Sequence, residues 1–259
     1  MNRKGIILAG GEGTRLYPLT KDTSKQLLPI NNKPMIYYPL SLLILGGIEE
    51  VLIITTPRDS KEFKNLLGDG KQWNLSISYE TQSKPNGIAQ AFLIAEKWLK
   101  GSSSVLVLGD NLFFGQGLPK LIKNIFLRND GATIFLNNVD DPERYGVVDL
   151  DEKKEIIDII EKPKKFVSNW AVTGMYCFDN NAPLYVKDLK PSSRGELEIT
   201  DLNKIYLDKK NLSAEFLDQG FTWLDMGTHE SLIKAANFVK MIETQKGIRI
   251  ADLNNLQDY

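Results

Sequence analysis

Short apolar runs alternate with stretches of helical spacing through the first half of the chain. Gly5 to Ala9 is unbroken apolar sequence, the pattern of a strand buried on both faces. Pro34 to Leu45 is apolar and stops at Gly46-Gly47, which predicts a helix with an irregularity at Pro39. Val51 to Thr56 predicts a second strand, Asp59 to Leu67 a short helix closed by Gly68, and Leu75 to Glu80 a third strand. Ile88, Ala91, Phe92, Ala95 and Leu99 recur at helical spacing. Val105 to Leu108 predicts a fourth buried strand running into Gly109-Asp110, and Leu118 to Leu127 a further helix. This alternation predicts an α/β fold: a doubly wound, mainly parallel, Rossmann-like sheet with right-handed crossovers.

Beyond residue 130 the rhythm changes. Ala132 to Val139, Tyr145 to Leu150, Glu155 to Glu161 and Val172 to Phe178 predict strands with few helices between them. A helix near Ile199 to Leu207, a strand at Ser213 to Leu217 and a final helix from about Thr228 follow. The pattern predicts an embedded α+β lobe that covers the open edge of the first sheet. No internal repeat or low-complexity linker divides the chain. We therefore expect a single domain over 1–259: a core over about 1–130, the lobe and the return to the core over about 131–227, and a C-terminal helical segment over 228–259.

The 259 residues suffice to bury a core. A formal net charge of -1 leaves no global field to attract nucleic acid, so an anionic ligand needs local positive groups. No apolar run approaches membrane-spanning length, and the chain reads straight into a strand, so no signal peptide is expected. The lone cysteine, Cys177, excludes an internal disulfide and favours a cytoplasmic protein. It falls in a strand pattern and is expected in the core. The single histidine, His229, follows the predicted N-cap Thr228 and argues against a histidine-held metal. Lys153-Lys154 and Lys209-Lys210 read as solvated surface.

Candidate chemistry begins directly after the first strand, in Leu8-Ala9-Gly10-Gly11-Glu12-Gly13-Thr14-Arg15-Leu16. The dinucleotide pattern G-x-G-x-x-G fails at Leu16, and the P-loop pattern fails for want of Gly-Lys-Ser/Thr. What remains is a glycine run whose N–H groups can converge on an anion at the carboxyl edge of a sheet. A plain tight turn is the other reading. Arg15 and Lys25 add positive charge, and an arginine can bridge two phosphate oxygens. Glu12, in the same turn, should point away from any phosphate. Asp110 follows one strand, and Asp225 follows Phe221-Thr222-Trp223-Leu224. Two carboxylates meeting over one site would suit Mg²⁺ together with phosphate oxygens. Otherwise Asp110 is a loop cap and Asp225 a neighbour of the last helix's start.

Taken in order, several segments resemble the signature of the sugar-1-phosphate nucleotidylyltransferases over nearly the whole chain. They are Leu8–Leu16, Ser24-Lys25-Gln26-Leu27-Leu28-Pro29, Lys33–Leu40, Leu108–Asn111, Asp141–Val148, Glu161-Lys162-Pro163, Arg194–Asp201 and Trp223–Thr228. Most of that family has proline before the lysine. Ser24-Lys25-Gln26 resembles its thymidylyl branch instead. The resemblance implies Mg²⁺-assisted in-line attack of α-D-glucose 1-phosphate on the α-phosphorus of dTTP. The products would be dTDP-glucose, a precursor of dTDP-deoxysugars such as dTDP-rhamnose, and pyrophosphate. It implies catalytic roles for Arg15, Lys25 and Asp110, with Asp110 and Asp225 holding the Mg²⁺.

By the same resemblance, nucleotide contacts fall to Leu8, Gly10, Gly11, Gly13, Thr14, Arg15, Lys25, Gln26, Gln82, Pro85, Gly87 and Asp110. Sugar-phosphate contacts fall to Asn111, Tyr145, Gly146, Glu161, Lys162, Val172, Arg194 and Trp223. A glutamine can pair with one pyrimidine edge, and a glycine lets a base approach the backbone, so Gln82, Gly87 and Gly10 are expected to read thymine. Lys84 to Gly87 reads equally as a turn. A homo-oligomer, tetramer or dimer, is implied too. Many relatives continue past the position of Tyr259 into helices that build subunit contacts and an allosteric site for dTDP-rhamnose, so the expected C-terminal segment is comparatively short. A uridylyltransferase, another sugar phosphate and a non-catalytic nucleotide sensor are the alternatives. Retention of Arg15, Lys25, Asp110 and Asp225 together favours an enzyme.

Overall fold

In the computed structural model, which describes residues 3–217 and 219–256, the opening apolar run is strand β1 (Lys4–Ala9), buried along its whole length. The expected end of the C-terminal segment, at Tyr259, lies outside the described residues. A small antiparallel pair follows, β2 (Pro29–Ile30) and β3 (Lys33–Pro34). Next come α1 (Tyr37–Leu45), β4 (Glu50–Thr55), α2 (Ser60–Leu67), β5 (Ser76–Thr81), α3 (Gln90–Leu99), β6 (Ser104–Leu108), β7 (Asn111–Gly115) and α4 (Leu118–Phe126). The second half supplies β8 (Ala132–Asn138), β9 (Gly146–Leu150), β10 (Ile156–Glu161), β11 (Trp170–Phe178), α5 (Ala182–Lys187) and α6 (Ile199–Asp208). It ends with β12 (Leu212–Leu217), β13 (Phe221–Asp225) and α7 (His229–Lys246). Thr228 caps α7 through a reciprocal pair of bonds with Ser231, and His229 is exposed just inside it.

Nine strands form one sheet, ordered β10-β9-β11-β6-β1-β4-β5, with β8 beside β11 and β12 beside β8. The β6, β1, β4 and β5 neighbours run parallel, with Ile7 opposite Ile53 and Val107. Period-two alternation sends side chains of β1 to opposite faces. Ile7 packs with α1, α2 and α4, while Ile6 and Leu8 pack with α3, α5 and α6. Both faces of the parallel strands are therefore covered by helices, as such strands require.

The second half covers the open edge of the parallel strands by direct strand addition. Met175 to Phe178 of β11 bond antiparallel to β6, so the sheet continues without a break. Cys177 sits mid-sheet opposite Val105 and Thr133, 2% exposed, and burial pushes its thiol up to about 12. Lys153, Lys154, Lys209 and Lys210 are exposed.

Three local differences have physical reasons. The first helix begins at Tyr37 rather than Pro34, which puts Pro39 in its first turn, where a missing N–H costs nothing, and no kink is needed. Asn111-Leu112-Phe113-Phe114-Gly115 is a strand that short-range pattern does not announce. Its partner is β13, far along the chain, with Asp225 opposite Asn111. The six residues of α5 are too few for a helical period to show. Among the described residues, no helix is long and apolar enough to cross a membrane.

Candidate active site

The carboxyl ends of β1 and β6, the β7–β13 ribbon, and the β9, β10 and β11 strands surround a cleft of about 280 Å³. Of the residues expected at a nucleotide, Leu8, Gly10, Arg15, Lys25, Gln26 and Asp110 line it. All eight expected sugar-phosphate residues line the same cleft: Asn111, Tyr145, Gly146, Glu161, Lys162, Val172, Arg194 and Trp223. Asp225 joins them.

Six expected nucleotide residues are not in its wall. Gly11 and Gly13 shape the turn, with φ of 98° and 62°. Thr14 and Pro85 are exposed. Gln82 is buried one layer back, where a Cβ on Gly10 would come within 2.7 Å of its Oε1. Its Nε2 donates to the Gly87 carbonyl at 3.1 Å and to Gln90 Oε1 at 2.7 Å, which brings Gln82 and Gly87 together behind the glycine turn. Glu12 is exposed.

Two strand ends bring the carboxylates together. Asp110 stands in the turn between β6 and β7, and Met226 N–H donates to its carbonyl at 2.9 Å, which pins the end of β13 alongside. Lys25 pairs with Asp110 Oδ2, and Asn111 Nδ2 donates to Oδ1 at 3.1 Å. Burial would raise the Asp110 carboxyl, but the Lys25 ammonium and these hydrogen bonds outweigh it and hold the carboxyl below its ordinary range. Asp225 has a more distant cationic partner, the Arg144 guanidinium at 3.6 Å from its Oδ2. Burial and the neighbouring Asp110 charge push it up to about 6. Arg15 Nη2 lies 2.8 Å from where a Gly227 Cβ would be, which places its guanidinium against the segment that follows Asp225.

Sequence reasoning missed Arg144, which ion-pairs with Asp141 and lies 3.6 Å from Asp225 Oδ2. Its guanidinium also sits 5.3 Å from the centre of the Tyr145 ring. The segment Asp141–Val148 contained it, but an arginine three residues after an aspartate reads as an ordinary surface pair. Missed too were Glu196, Glu198 and Thr200 at the far side. There Arg194 reaches Glu198 at 2.8 Å and Glu161 at 3.1 Å, and Thr200 donates to Glu161 at 2.6 Å. Lys162 adopts a left-handed φ of 43°, with its N–H donating to the Tyr145 carbonyl at 2.9 Å. Strained backbone of this kind persists where surrounding contacts fix it.

The donor set fits a divalent cation of the Mg²⁺ type. It offers carboxylate oxygens without histidine or thiolate, and a cation there would relieve the burial and Asp110 repulsion that raise Asp225. No group of three or more metal-ligating side chains occurs among the described residues, so the remaining ligands would come from phosphate and water.

Comparison with known proteins agrees with this geometry. A family profile described as nucleotidyl transferase matches residues 4–241. The glucose-1-phosphate thymidylyltransferase of Xanthomonas campestris pv. campestris (strain B100) is 55% identical over 96% of this chain and 84% of its own length. That of Neisseria meningitidis serogroup A / serotype 4A (strain DSM 15465 / Z2491) is 52% identical over 98% of this chain and 88% of its own length. A Bacillus anthracis structure, described as a glucose-1-phosphate thymidylyltransferase in complex with sucrose, superposes with a TM-score of 0.85 at 40% identity, covering 99% of this chain and 98% of that one. A UDP-glucose pyrophosphorylase complexed with UDP-glucose superposes with a TM-score of 0.82 at 26% identity, covering 93% and 99%. A match that spans the sheet from its first strand into its last helix leaves one conclusion: this chain belongs to the nucleotidyl transferase family.

Proposed function

We propose that this chain transfers a thymidylyl group from dTTP to α-D-glucose 1-phosphate, giving dTDP-glucose and pyrophosphate. The observation that carries the reading is the convergence of Arg15, Lys25, Asp110 and Asp225 with Glu161, Lys162 and Trp223 in one cleft. The relatives of 44–55% identity bear the name of that activity. A phosphate oxygen of the sugar 1-phosphate attacks the α-phosphorus. The bond from that phosphorus to the bridging oxygen breaks, and pyrophosphate takes the electron pair. No protein nucleophile takes part, so the work is positioning and charge neutralisation.

Arg15 neutralises charge on the triphosphate as it redistributes toward the leaving group. Lys25 neutralises the α-phosphate, a role supported by its ion pair with Asp110 inside the cleft. Asp110 and Asp225 would hold Mg²⁺, which when bound would neutralise phosphate charge. Glu161 accepts from sugar hydroxyls, and Lys162 and Arg194 bind the sugar phosphate. Gly10, Gly87 and Gln82 read the pyrimidine, a role supported by the close packing of Gln82 behind Gly10. The expectations of a homo-oligomer and of cytoplasmic residence belong to the same reading, and sedimentation velocity tests the first.

The deciding experiment is pyrophosphate release from glucose 1-phosphate with either dTTP or UTP. A kcat/KM strongly favouring dTTP supports the thymidylyl reading. Equal or faster turnover of UTP moves the chain to the uridylyl alternative, whose fold it shares with the UDP-glucose enzyme. Arg15→Ala should lower kcat by about 10²–10³. An unchanged kcat would remove Arg15 from the mechanism.

A further inference from the structure

Asn111 is expected to touch the sugar phosphate, yet its side chain is already engaged by the protein. It is 2% exposed. Its Oδ1 accepts from Trp223 Nε1 at 2.6 Å and from the Gly174 N–H at 3.1 Å. An asparagine amide has one acceptor end and one donor end, so two donors on Oδ1 decide which way it faces. Nδ2 is thereby turned toward Asp110, donating to Oδ1 at 3.1 Å. With Lys25 on Oδ2, both oxygens of that carboxylate are held.

Three elements are arranged to make this contact. Asn111 opens β7, Trp223 stands two residues before Asp225 on β13, and Gly174 belongs to β11, the strand that carries Val172 into the cleft. The pairing of β11 with β8 shifts register between Val172 and Tyr176, and Gly174 lies in that gap. Gly174 has no left-handed φ that would call for glycine, but a Cβ there would stand 2.4 Å from Asn111 Oδ1. Glycine is needed at this position for proximity alone. The register shift, the missing side chain and the indole N–H all serve one acceptor atom.

We propose that Asn111, oriented by Trp223 and Gly174, is a positioning residue that sets the rotation of the Asp110 carboxylate. Sugar-side strand β11 and the metal-holding carboxylate form one hydrogen-bonded unit. The second Nδ2 hydrogen leaves a substrate contact available to the same side chain. This inference rests on the reading of Asp110 as a metal ligand.

The test measures Mn²⁺ binding by electron paramagnetic resonance in the presence of dTTP, alongside pyrophosphate release. Trp223→Phe removes the N–H and keeps a ring against Tyr145, whose centre is 5.1 Å away. Asn111→Ala removes the donor to Asp110. The Mn²⁺ dissociation constant is expected to rise at least about threefold for Trp223→Phe and about tenfold or more for Asn111→Ala. If Trp223→Phe fails to fold, Gly174→Ala carries the test with the same expected loss. Unchanged Mn²⁺ affinity with a raised KM for glucose 1-phosphate would overturn the proposal and leave Asn111 as a sugar contact only. A wild-type protein that binds no Mn²⁺ also overturns it. A wild-type protein that binds Mn²⁺ but releases no pyrophosphate sinks the substrate assignment, while the comparison among variants still decides this inference.

Discussion

Asp225 is raised to about 6 while Asp110 is held down: burial and the Asp110 charge outweigh the cations near Asp225, whereas Lys25 pairs with Asp110 directly. A carboxyl whose folded pKa exceeds its ordinary 3.8 binds more protons in the native state between those two values. Its stabilising effect is therefore fully present below about 3.8 and lost as pH rises through about 6. At pH 8 the ionised carboxylate costs up to about 3 kcal/mol. Asp225→Asn should raise Tm at that pH, and the advantage should shrink as pH falls from 6 toward 4. Scanning calorimetry across that range reads both effects, and a lower Tm at pH 8 would contradict the assignment. On the proposed metal role of Asp225, wild-type activity at subsaturating metal should fall below about pH 6, through competition of proton and cation for its oxygens. Arg15 and Lys25, which line the cleft, were legible in the sequence as positive charges that follow a glycine turn. Arg144 was not, because its pairing with Asp141 at i,i+3 looks like any surface pair until the fold brings Asp225 to it.

Among the elements, the loop between β5 and α3 is tied to the segment before α6. Leu197 N–H donates to the Asn86 carbonyl at 2.7 Å, and Ala89 N–H donates back to the Leu197 carbonyl at 3.1 Å. Between them Gly87 has a φ of 102°, and a Cβ there would lie 2.3 Å from the Leu197 oxygen. Gly11 has a similar φ of 98° with nothing within 4 Å. Each Gly→Ala change should cost about 1–2 kcal/mol for backbone conformation. Gly87→Ala should cost visibly more, read as a larger fall in the urea midpoint at constant m-value. Equal costs would show that the Leu197 contact relaxes freely. Elements with a local period were readable: α3 from its five apolar positions, β1 from its unbroken run. Strand β7 was not, since five residues with a distant partner carry no periodic signal, and α1 began later than its apolar content implied because the chain turns through β2 and β3 first.

Across the whole molecule, the sheet does not respect the expected division into a core and a lobe. Strand β11 bonds to β6, and the Arg3 guanidinium donates to carbonyls of Ser104, Phe126 and Phe178, tying the first strand to both halves. We expect a single urea transition, coincident by far-ultraviolet circular dichroism and by tryptophan fluorescence. Two separated transitions would mean that the lobe unfolds alone. Alternation in the first half announced the parallel core because each strand there is self-evident. How the second half joins it depends on antiparallel pairing between distant segments, which no local pattern encodes.

The thiol of Cys177 acquires a use from this arrangement. As the chain's one cysteine, locked at the seam where β11 meets β6 and β8, it is withheld from any reagent while the seam is closed. Its labelling rate then becomes a clock for the opening of that seam, started by no engineered probe. Slowing of the clock by a nucleotide would report, from one atom in the middle of the sheet, how far occupancy of the cleft is felt across the protein.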